Sequence, residues 1–588
     1  MTKSSITQTK RIQKIDKKSV HLPLRPEARS SQWRVYAVFF LFIAASLVMI
    51  FKLFSLQVLK GDYYEAMARG QQVSLKEDQA LRGDILLLDS SFPLTQVKTK
   101  NVIYVFPSKI EPQQYEAEAK SLAEILGEKT EDWFFALQKG EAIKKEVTDV
   151  QREAFQERKL DSVILEKTKA RFYPQKDFAS HVIGFVGTEG VGQYGLEGYY
   201  DDLLRGDSTI SQTGRSPLGY LTSLEPEEEK QQKGAELWLT LDYKIQYLAE
   251  KLLKQAKADW QIDSGQIIVQ DPSTGKILAM ANYPSFDPND YGNQNDFDIF
   301  LNKALQTTFE PGSIFKPVTM AAGLEEGLVT PETTYEDTGS VNVGGPSIYN
   351  FAKHIFGVCD MTMVLKQSIN TGVVLVESKL GGERFLRYVS KFGFFDKTGI
   401  DLQGEVCSEN KTLKNGYPRD FATASFGQGI EATPLQMVQS FSIIANKGKL
   451  MKPYIVAKIV KPDGQEIITQ PKVVREVISE KTADQLSWML EKVVSEGSGR
   501  KAKIQGYQIS GKTGTAQVIV NGRYSEDNTT QSFLGFFPSD NPRAVVLVKL
   551  DNPKNSLEAG SSATPIGREM IKNMIDLWQI PPTEPVSD

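Results

Sequence analysis

Histidine and cysteine are scarce in this chain: His21, His181, His354, Cys359 and Cys407 are all that its 588 residues contain. His21 falls in a basic tail, so two histidines remain for chemistry, which argues against a zinc site of the usual His/Cys kind. A Ser-His-Asp triad would have to use His181 or His354, and neither stands in a triad-like motif. A base other than histidine is the better expectation. The two cysteines allow either one disulfide in an oxidising compartment or a pair of free buried thiols. A basic excess is missing too. The net charge is −4, and residues 1–34 carry nine Lys/Arg against Asp16 and Glu27, which leaves the remainder at −11. That balance speaks against nucleic acid as a partner of the main body. No internal repeat or low-complexity run is visible.

What is present is a chain too long for one core, with globular proportions of 40% apolar and 24% charged residues. Residues 35–51 run without a charge, and the apolar character continues past Lys52 to Leu59. This length suits a bilayer crossing, with Trp33 and Tyr36 near one interface. A cleaved signal peptide would have a shorter apolar region ending in small residues, whereas Ala44-Ala45-Ser46 lies mid-stretch. The basic flank predicts a cytoplasmic N-terminus, with everything after the span outside the cytoplasm.

Residues 60–232 read as a mixed, charged segment. Residues 112–126 suggest a helix with Ala117, Leu122, Ile125 and Leu126 on its apolar side. Residues 82–89, starting Arg82-Gly83-Asp84, look like a strand entered from a turn, and Arg171-Phe172-Tyr173-Pro174 and Gly192-Gln193-Tyr194-Gly195-Leu196-Glu197 read as turns and packing contacts. The polar run 226–232 suggests a boundary. Beyond it, Asp242 can cap a helix whose apolar face is Ile245, Leu248, Ala249, Leu252, Leu253 and Ala256. Residues 266–270 and 276–280 flank Pro272-Ser273-Thr274-Gly275, a hairpin signal, and residues 544–548 form another strand. Helices alternating with antiparallel strands suggest an α+β domain of about 350 residues, with helices packed on a sheet.

The organising stretch is Glu310-Pro311-Gly312-Ser313-Ile314-Phe315-Lys316-Pro317. It reads as a helix start, since Gly312 permits a sharp turn and Pro317 is tolerable only in the first helical turn. Ser313 and Lys316 at i and i+3 share a face, while Ile314 and Phe315 point into packing. A serine hydroxyl needs a base to become a nucleophile, and a lysine serves if burial or nearby positive charge depresses its pKa. Downstream, Ser368-Ile369-Asn370 places a hydroxyl and an amide two residues apart in a turn. The hydroxyl could relay a proton between Lys316 and a leaving amine, and the amide could fix a substrate carbonyl. Gly511-Lys512-Thr513-Gly514-Thr515 forms a strand whose glycines admit a second backbone. Lys512, Thr513 and Thr515 would there bind a terminal carboxylate.

Each stretch alone is an ordinary helix start, Ser/Asn turn or glycine-rich turn; the set in this order is the motif set of penicillin-binding proteins and serine β-lactamases. The chain also resembles the class B penicillin-binding proteins along most of its length. The matching residues include Arg82-Gly83 with Asp89, Arg171-Phe172-Tyr173-Pro174, Gly195-Leu196-Glu197 and Asp271-Pro272-Ser273-Thr274-Gly275. Asn302-Lys303-Ala304-Leu305, Ser425-Phe426-Gly427-Gln428-Gly429, Thr433-Pro434-Leu435-Gln436 and the 532–538 strand extend the match.

The resemblance implies an α+β protein with a single N-terminal transmembrane helix, an elongated mixed α/β pedestal and a transpeptidase domain. The expected division is a basic tail at 1–34, an anchor at 35–58, a pedestal at 59–232, a transpeptidase domain at 233–580 and a tail at 581–588. It implies a D,D-transpeptidase without cofactor. Ser313 would be acylated by stem peptides, Lys316, Ser368 and Asn370 would complete the catalytic set, and Lys512, Thr513, Gly514 and Thr515 would bind substrate. Backbone N–H groups of Ser313 and Thr515 would form the oxyanion hole. β-Lactams, a membrane glycosyltransferase of the SEDS type and other cell-division membrane proteins are the implied partners. Ser425-Phe426-Gly427-Gln428-Gly429, the length and the ending soon after Ile580-Pro581-Pro582 resemble septal members more than elongation ones. The alternatives are an elongation enzyme and a catalytically silent scaffold. Two fragments, 131–140 and 208–212, imitate a class A glycosyltransferase, but Gln138 stands where that family expects histidine.

Overall fold

The computed structural model describes residues 32–54, 73–78, 80–88, 93–206, 209–215, 221–223, 233–520, 523–556 and 558–584. Most of the basic tail, Asp89, Ser208 and the polar run 226–232 lie outside them. Contacts divide the chain into two units, residues 1–77 with 210–228 and residues 78–209 with 229–588.

The first unit contains helix α1 (Gln32–Phe54). None of its 18-residue apolar stretch Ala37–Phe54 is buried. At 1.5 Å per residue that stretch is about 27 Å long, enough for a hydrocarbon core. Strands Val73–Asp78, Thr209–Arg215 and Leu221–Ser223 form a small sheet with Thr209–Arg215 in the middle.

The second unit is built on a five-stranded antiparallel sheet. Its strands are β1 (Ser264–Gln270), β2 (Ile277–Tyr283), β3 (Ser510–Val520), β4 (Arg523–Phe537) and β5 (Ala544–Asp551), in the order β2-β1-β5-β4-β3. The hairpin expected at residues 271–275 joins β1 to β2. Side chains alternate along the strands except at register shifts near Val269/Gln270 and Gln517/Ile519, and both faces are buried. Ile267, Val269, Phe533, Phe537, Val546 and Val548 belong to one core, while Ile268, Leu534, Phe536, Val545 and Leu547 belong to the other. Helices α2 (Tyr243–Trp260) and α9 (Ala563–Trp578) cover the first face. Asp242 caps α2 as expected, accepting from the N–H groups of Lys244 and Ile245. The second face carries α3 (Lys316–Glu325), α4 (Met361–Lys366), α5 (Asn370–Leu380), α6 (Gly382–Lys391), α7 (Pro434–Ala445) and α8 (Glu480–Glu496). Continuous apolar runs in β1 and β5 fit this two-sided burial.

The N-terminal part of this unit packs three helices, including Tyr115–Leu126, on the antiparallel strands Ile143–Val147, Gln96–Val105 and Val163–Phe172. Residues 112–114 form a 3₁₀ turn before that helix, and its buried stripe is Ala119, Leu122, Ala123 and Leu126. Ala117 is exposed, because it lies off this i, i+3, i+4, i+7 stripe. The fragment 131–140 lies on the helix Thr130–Gln138 and its C-terminal turn, with Trp133 and Leu137 in the same core.

The strand expected after Arg82-Gly83 is present at Ile85–Leu87, and the three motifs meet in a buried ion cluster. Arg82 Nε donates to Glu197 Oε2 at 2.6 Å and Arg82 Nη1 to Asp201 Oδ1 at 2.7 Å. Arg171 Nε donates to Glu197 Oε1 at 2.7 Å. Glu197 is fully buried. Neutralising its two arginines across 115 and 26 residues of chain ties three segments together. Next to the cluster, Tyr173 exchanges backbone bonds with the Asn289 amide, N–H to Oδ1 at 3.0 Å and Nδ2 to O at 2.9 Å. Strand Ile85–Leu87 pairs in parallel with Glu236–Leu239, which pairs on its other side with Val456–Val460. Glu197→Ala removes the hydrogen-bonded carboxylate of buried Arg171 and leaves Arg82 with Asp201 alone, and is expected to cost about 3–5 kcal/mol. A fall in thermal midpoint read by calorimetry checks this; an unchanged midpoint contradicts it.

Candidate active site

Helix α3 starts through a 3₁₀ turn, Gly312–Phe315, with Pro317 inside its first turn. This start aims Ser313 and Lys316 in one direction and buries Ile314 and Phe315 completely. Ser313 stays half-exposed between buried neighbours. Opposite it, the chain turns between α4 and α5 on Ser368, a non-glycine residue at φ 57°. A left-handed serine is strained and concentrates at functional sites. Here the conformation sends Ser368 Oγ towards the nucleophile turn. The third contribution is the edge strand β3, where alternation buries Lys512, Gly514 and Ala516 and leaves Thr513 and Thr515 half-exposed.

The three segments meet at one oxygen. Ser368 Oγ donates to Ser313 Oγ at 2.9 Å and accepts from Lys316 Nζ at 3.1 Å and from Lys512 Nζ at 3.0 Å. Lys316 Nζ also donates to the Ser368 carbonyl, and Lys512 Nζ to the Thr513 carbonyl at 3.1 Å. Both lysines are 0% exposed. Burial holds the Lys316 amine well below its ordinary 10.5, and the neighbouring Lys512 charge lowers it further. Burial alone lowers Lys512 to about 7. Lys316 carries both penalties, so it is the first of the pair to give up its proton. With Lys316 neutral, the 3.1 Å contact can reverse, and a proton can pass from Ser313 through Ser368 to the amine.

Close packing fixes the approach of these segments. A Cβ on Gly514 would lie 2.6 Å from Ser532 Oγ and 3.2 Å from the Pro311 carbonyl. The glycine expected to admit a second backbone thus admits the nucleophile turn. Gly427 sits at φ 84°, and its Cβ would lie 2.2 Å from the Gly312 carbonyl oxygen. The Gly312 N–H donates to the Gly427 carbonyl at 3.0 Å. The 425–429 loop is therefore the floor beneath Ser313. Glu310 completes the clasp: its carboxylate accepts from the Gly429 N–H at 2.9 Å and from the Tyr524 hydroxyl at 3.2 Å. Burial raises its pKa.

The other expected residues stand nearby with different partners. Asn370 Nδ2 donates to the Tyr349 carbonyl at 2.9 Å, and its N–H to Asn350 Oδ1 at 3.0 Å. Thr513 Oγ1 donates to Ser498 Oγ at 3.4 Å, and Thr515 Oγ1 accepts from the Ala559 N–H at 3.1 Å. Sequence reasoning missed Glu310, Tyr524 and the Asp337–Asn350–Thr371 network that anchors the start of α5. In it the Thr371 hydroxyl and the Asn350 amide both donate to Asp337. No local pattern joins positions 13 to 34 residues apart. Histidine is absent from the cluster. His181 is buried with Nε2 at 2.9 Å from the Ile299 carbonyl, and burial lowers it to about 4. Cys359 and Cys407 are both free thiols.

The chain is similar to known proteins in sequence and fold. The profile of the penicillin binding protein transpeptidase domain matches residues 265–572, and that of the penicillin-binding protein dimerisation domain matches residues 77–239. Stage V sporulation protein D of Bacillus subtilis is 34% identical over 530 residues, covering 88% of this chain and 82% of its own. The chain belongs to the class B penicillin-binding proteins. This penicillin-binding protein is also similar to the peptidoglycan D,D-transpeptidase FtsI homolog of Mesostigma viride, at 29% identity over 94% of this chain and 97% of that one. Among solved structures, penicillin binding protein 3 of Mycobacterium tuberculosis complexed with aztreonam superposes with a TM-score of 0.67 at 28% identity, covering 87% of this chain and 99% of that one.

The lysine pair makes a measurable prediction. Removing the Lys512 charge in Lys512→Met removes one of the two causes that depress Lys316, so the Lys316 amine should titrate higher than in the wild type. NMR of ¹³Cε-labelled lysine reads this directly. An unchanged or lower Lys316 midpoint contradicts the electrostatic link.

Proposed function

We propose that this protein is a peptidoglycan D,D-transpeptidase acting through a Ser313 acyl-enzyme. The observation that carries this reading is the Ser368 hydroxyl, held at 2.9 to 3.1 Å from Ser313, Lys316 and Lys512 at once. Family membership and the names of the relatives support the same chemistry.

In the proposed reaction a D-Ala-D-Ala stem peptide lies along the free edge of β3 and adds a strand to the sheet. Protonated Lys512, with Thr513, holds its terminal carboxylate, and binding that anion favours the cationic form of Lys512. Lys316 takes the Ser313 proton, directly or through Ser368, as Oγ bonds to the penultimate carbonyl carbon. Backbone N–H groups of Ser313 and Thr515 receive the oxyanion; one such donor is typically worth about 3–4 kcal/mol in the transition state. The C–N bond then breaks, and D-alanine leaves with the proton relayed back through Ser368. An amine from a neighbouring strand enters, gives its proton to the same relay and resolves the ester into the cross-link. Asn370 fixes a substrate carbonyl, and Gly514 keeps β3 close enough for Thr515 to reach the reacting carbon. β-Lactams acylate Ser313 by presenting the same carbonyl and carboxylate.

The proposed chain plan is a cytoplasmic tail at 1–34, an anchor at 35–58, a pedestal at 59–232, a transpeptidase domain at 233–580 and a tail at 581–588. The apolar helix α1 and the basic residues before it support a single span with the catalytic domain outside the cytoplasm. Septal synthesis beside a SEDS-type glycosyltransferase is the proposed setting.

Fluorescent penicillin is expected to label the wild type covalently, and Ser313→Ala is expected to lose the label. An unlabelled, folded wild type would favour a scaffold. Depletion in the source organism is expected to give filaments; rounded cells would assign the enzyme to elongation.

A further inference from the structure

A cavity of about 60 Å³ lies beside the 393–396 loop and shares no lining residue with the lysine cluster. That is room for on the order of four waters, or for a group of a few heavy atoms. Its walls are apolar, formed by Phe392, Leu450, Met451 and Val474. One polar side chain stands out within them. Gln439, on α7, is 3% exposed, and among the described residues neither its Nε2 nor its Oε1 has a hydrogen-bond partner. A buried primary amide left unpaired costs about 1–3 kcal/mol for each unmet group. Gln436, one turn earlier on the same lining, is fully engaged. Its Oε1 accepts from the Thr433 N–H at 2.9 Å, and its Nε2 donates to the Gly393 and Asp396 carbonyls at 3.2 and 3.0 Å.

The complement of a free amide is a group with one donor and one acceptor side by side. The rim carries both charge signs, Asp396 against Lys397 and Arg475, and the Arg475 donors already cap α6 through the Lys391 and Ser390 carbonyls. The rim therefore selects no ion, and the ligand is neutral. Apolar walls around a single amide call for a methyl group attached to the ligand's own amide. We propose that this cavity binds the acetamido group of an amino sugar, the glycan part of the strands whose peptides the proposed transpeptidation joins. The inference rests on that reading for the source of the sugar.

The cavity is also joined to the nucleophile turn. The 393–396 loop that Gln436 holds contains Phe394, whose ring packs on Phe315 at 5.1 Å between centroids, two residues from Ser313. A sugar seated on Gln439 would stiffen the loop that backs the nucleophile.

Saturation-transfer NMR on the full chain in detergent, with N,N′-diacetylchitobiose as probe, tests the site. The acetyl methyl should receive the strongest saturation. Its apparent affinity should fall at least 10-fold in Gln439→Leu and in Val474→Arg, which fills the mouth from an exposed position. Gln439→Leu replaces an unpaired amide by an apolar group of similar size, so its thermal midpoint should hold or rise. Equal binding of the de-N-acetylated disaccharide, competition by N-acetyl-alaninamide without binding of the sugar, or undiminished binding in both variants would overturn the proposal. A lower midpoint in Gln439→Leu together with no sugar binding to the wild type would mark the amide as structural and overturn it equally. Penicillin labelling of Ser313 is measured alongside; if it persists while the sugar fails to bind, this inference alone falls.

Discussion

Two buried amines share one hydroxyl, and much of the surrounding architecture serves that constraint. Like charges about 3 Å from a common atom in a dry interior cannot both persist without large cost. One amine therefore gives up its proton, and the other keeps a charge that an incoming anion can stabilise. In the proposed reaction, base and anion receptor are thus separated by electrostatics between chemically identical side chains. Ser368 lies between them on a strained left-handed backbone. That strain is tolerated because α4, α5 and the Asp337–Asn350–Thr371 network hold the turn from both sides.

The sheet makes the meeting possible. Period-two alternation in β3 points Lys512 inward and Thr513 and Thr515 toward the groove, and burial on both faces holds the register. Because β3 is the edge strand, its outer side remains available to an extended peptide. The glycine contacts explain residues that carry no chemistry of their own. Gly514 and Gly427 are small so that the nucleophile turn can be pressed between β3 and the 425–429 loop. Glu310 then links that loop to the Tyr524 side of the β3–β4 hairpin.

Much of this was legible in the sequence where the physics is local. The helix start around Ser313, the Asp242 cap, the 271–275 hairpin and the strand at 544–548 follow from turn chemistry and periodicity within a few residues. The pairing of Ser313 with Lys316 on one face follows from helical spacing, and the grouping with Ser368 and Lys512 rested on motif order. What stayed hidden is non-local. Arg82, Arg171 and Glu197 look like separate turns and packing contacts until the fold brings them into one buried ion cluster. Asn370 reads as facing a substrate; that its amide also donates to the Tyr349 carbonyl is something only the folded 333–360 segment could reveal. Gln439 gives no signal at all in the sequence, because a glutamine on a helix is ordinary until its burial is known.

The central claim is that Lys316 is neutral at rest and accepts the Ser313 proton. The most direct measurement is the pH dependence of the β-lactam acylation rate in the wild type and in Lys316→Met. Since burial and Lys512 both push the Lys316 pKa down from 10.5, the wild-type rate should rise with pH through an ionisation well below that value. Lys316→Met should lose both the ionisation and, as for other general bases, about 10²–10⁴-fold in rate. A wild-type rate with no ionisation below pH ~9, or a Lys316→Met profile matching the wild type, would contradict it.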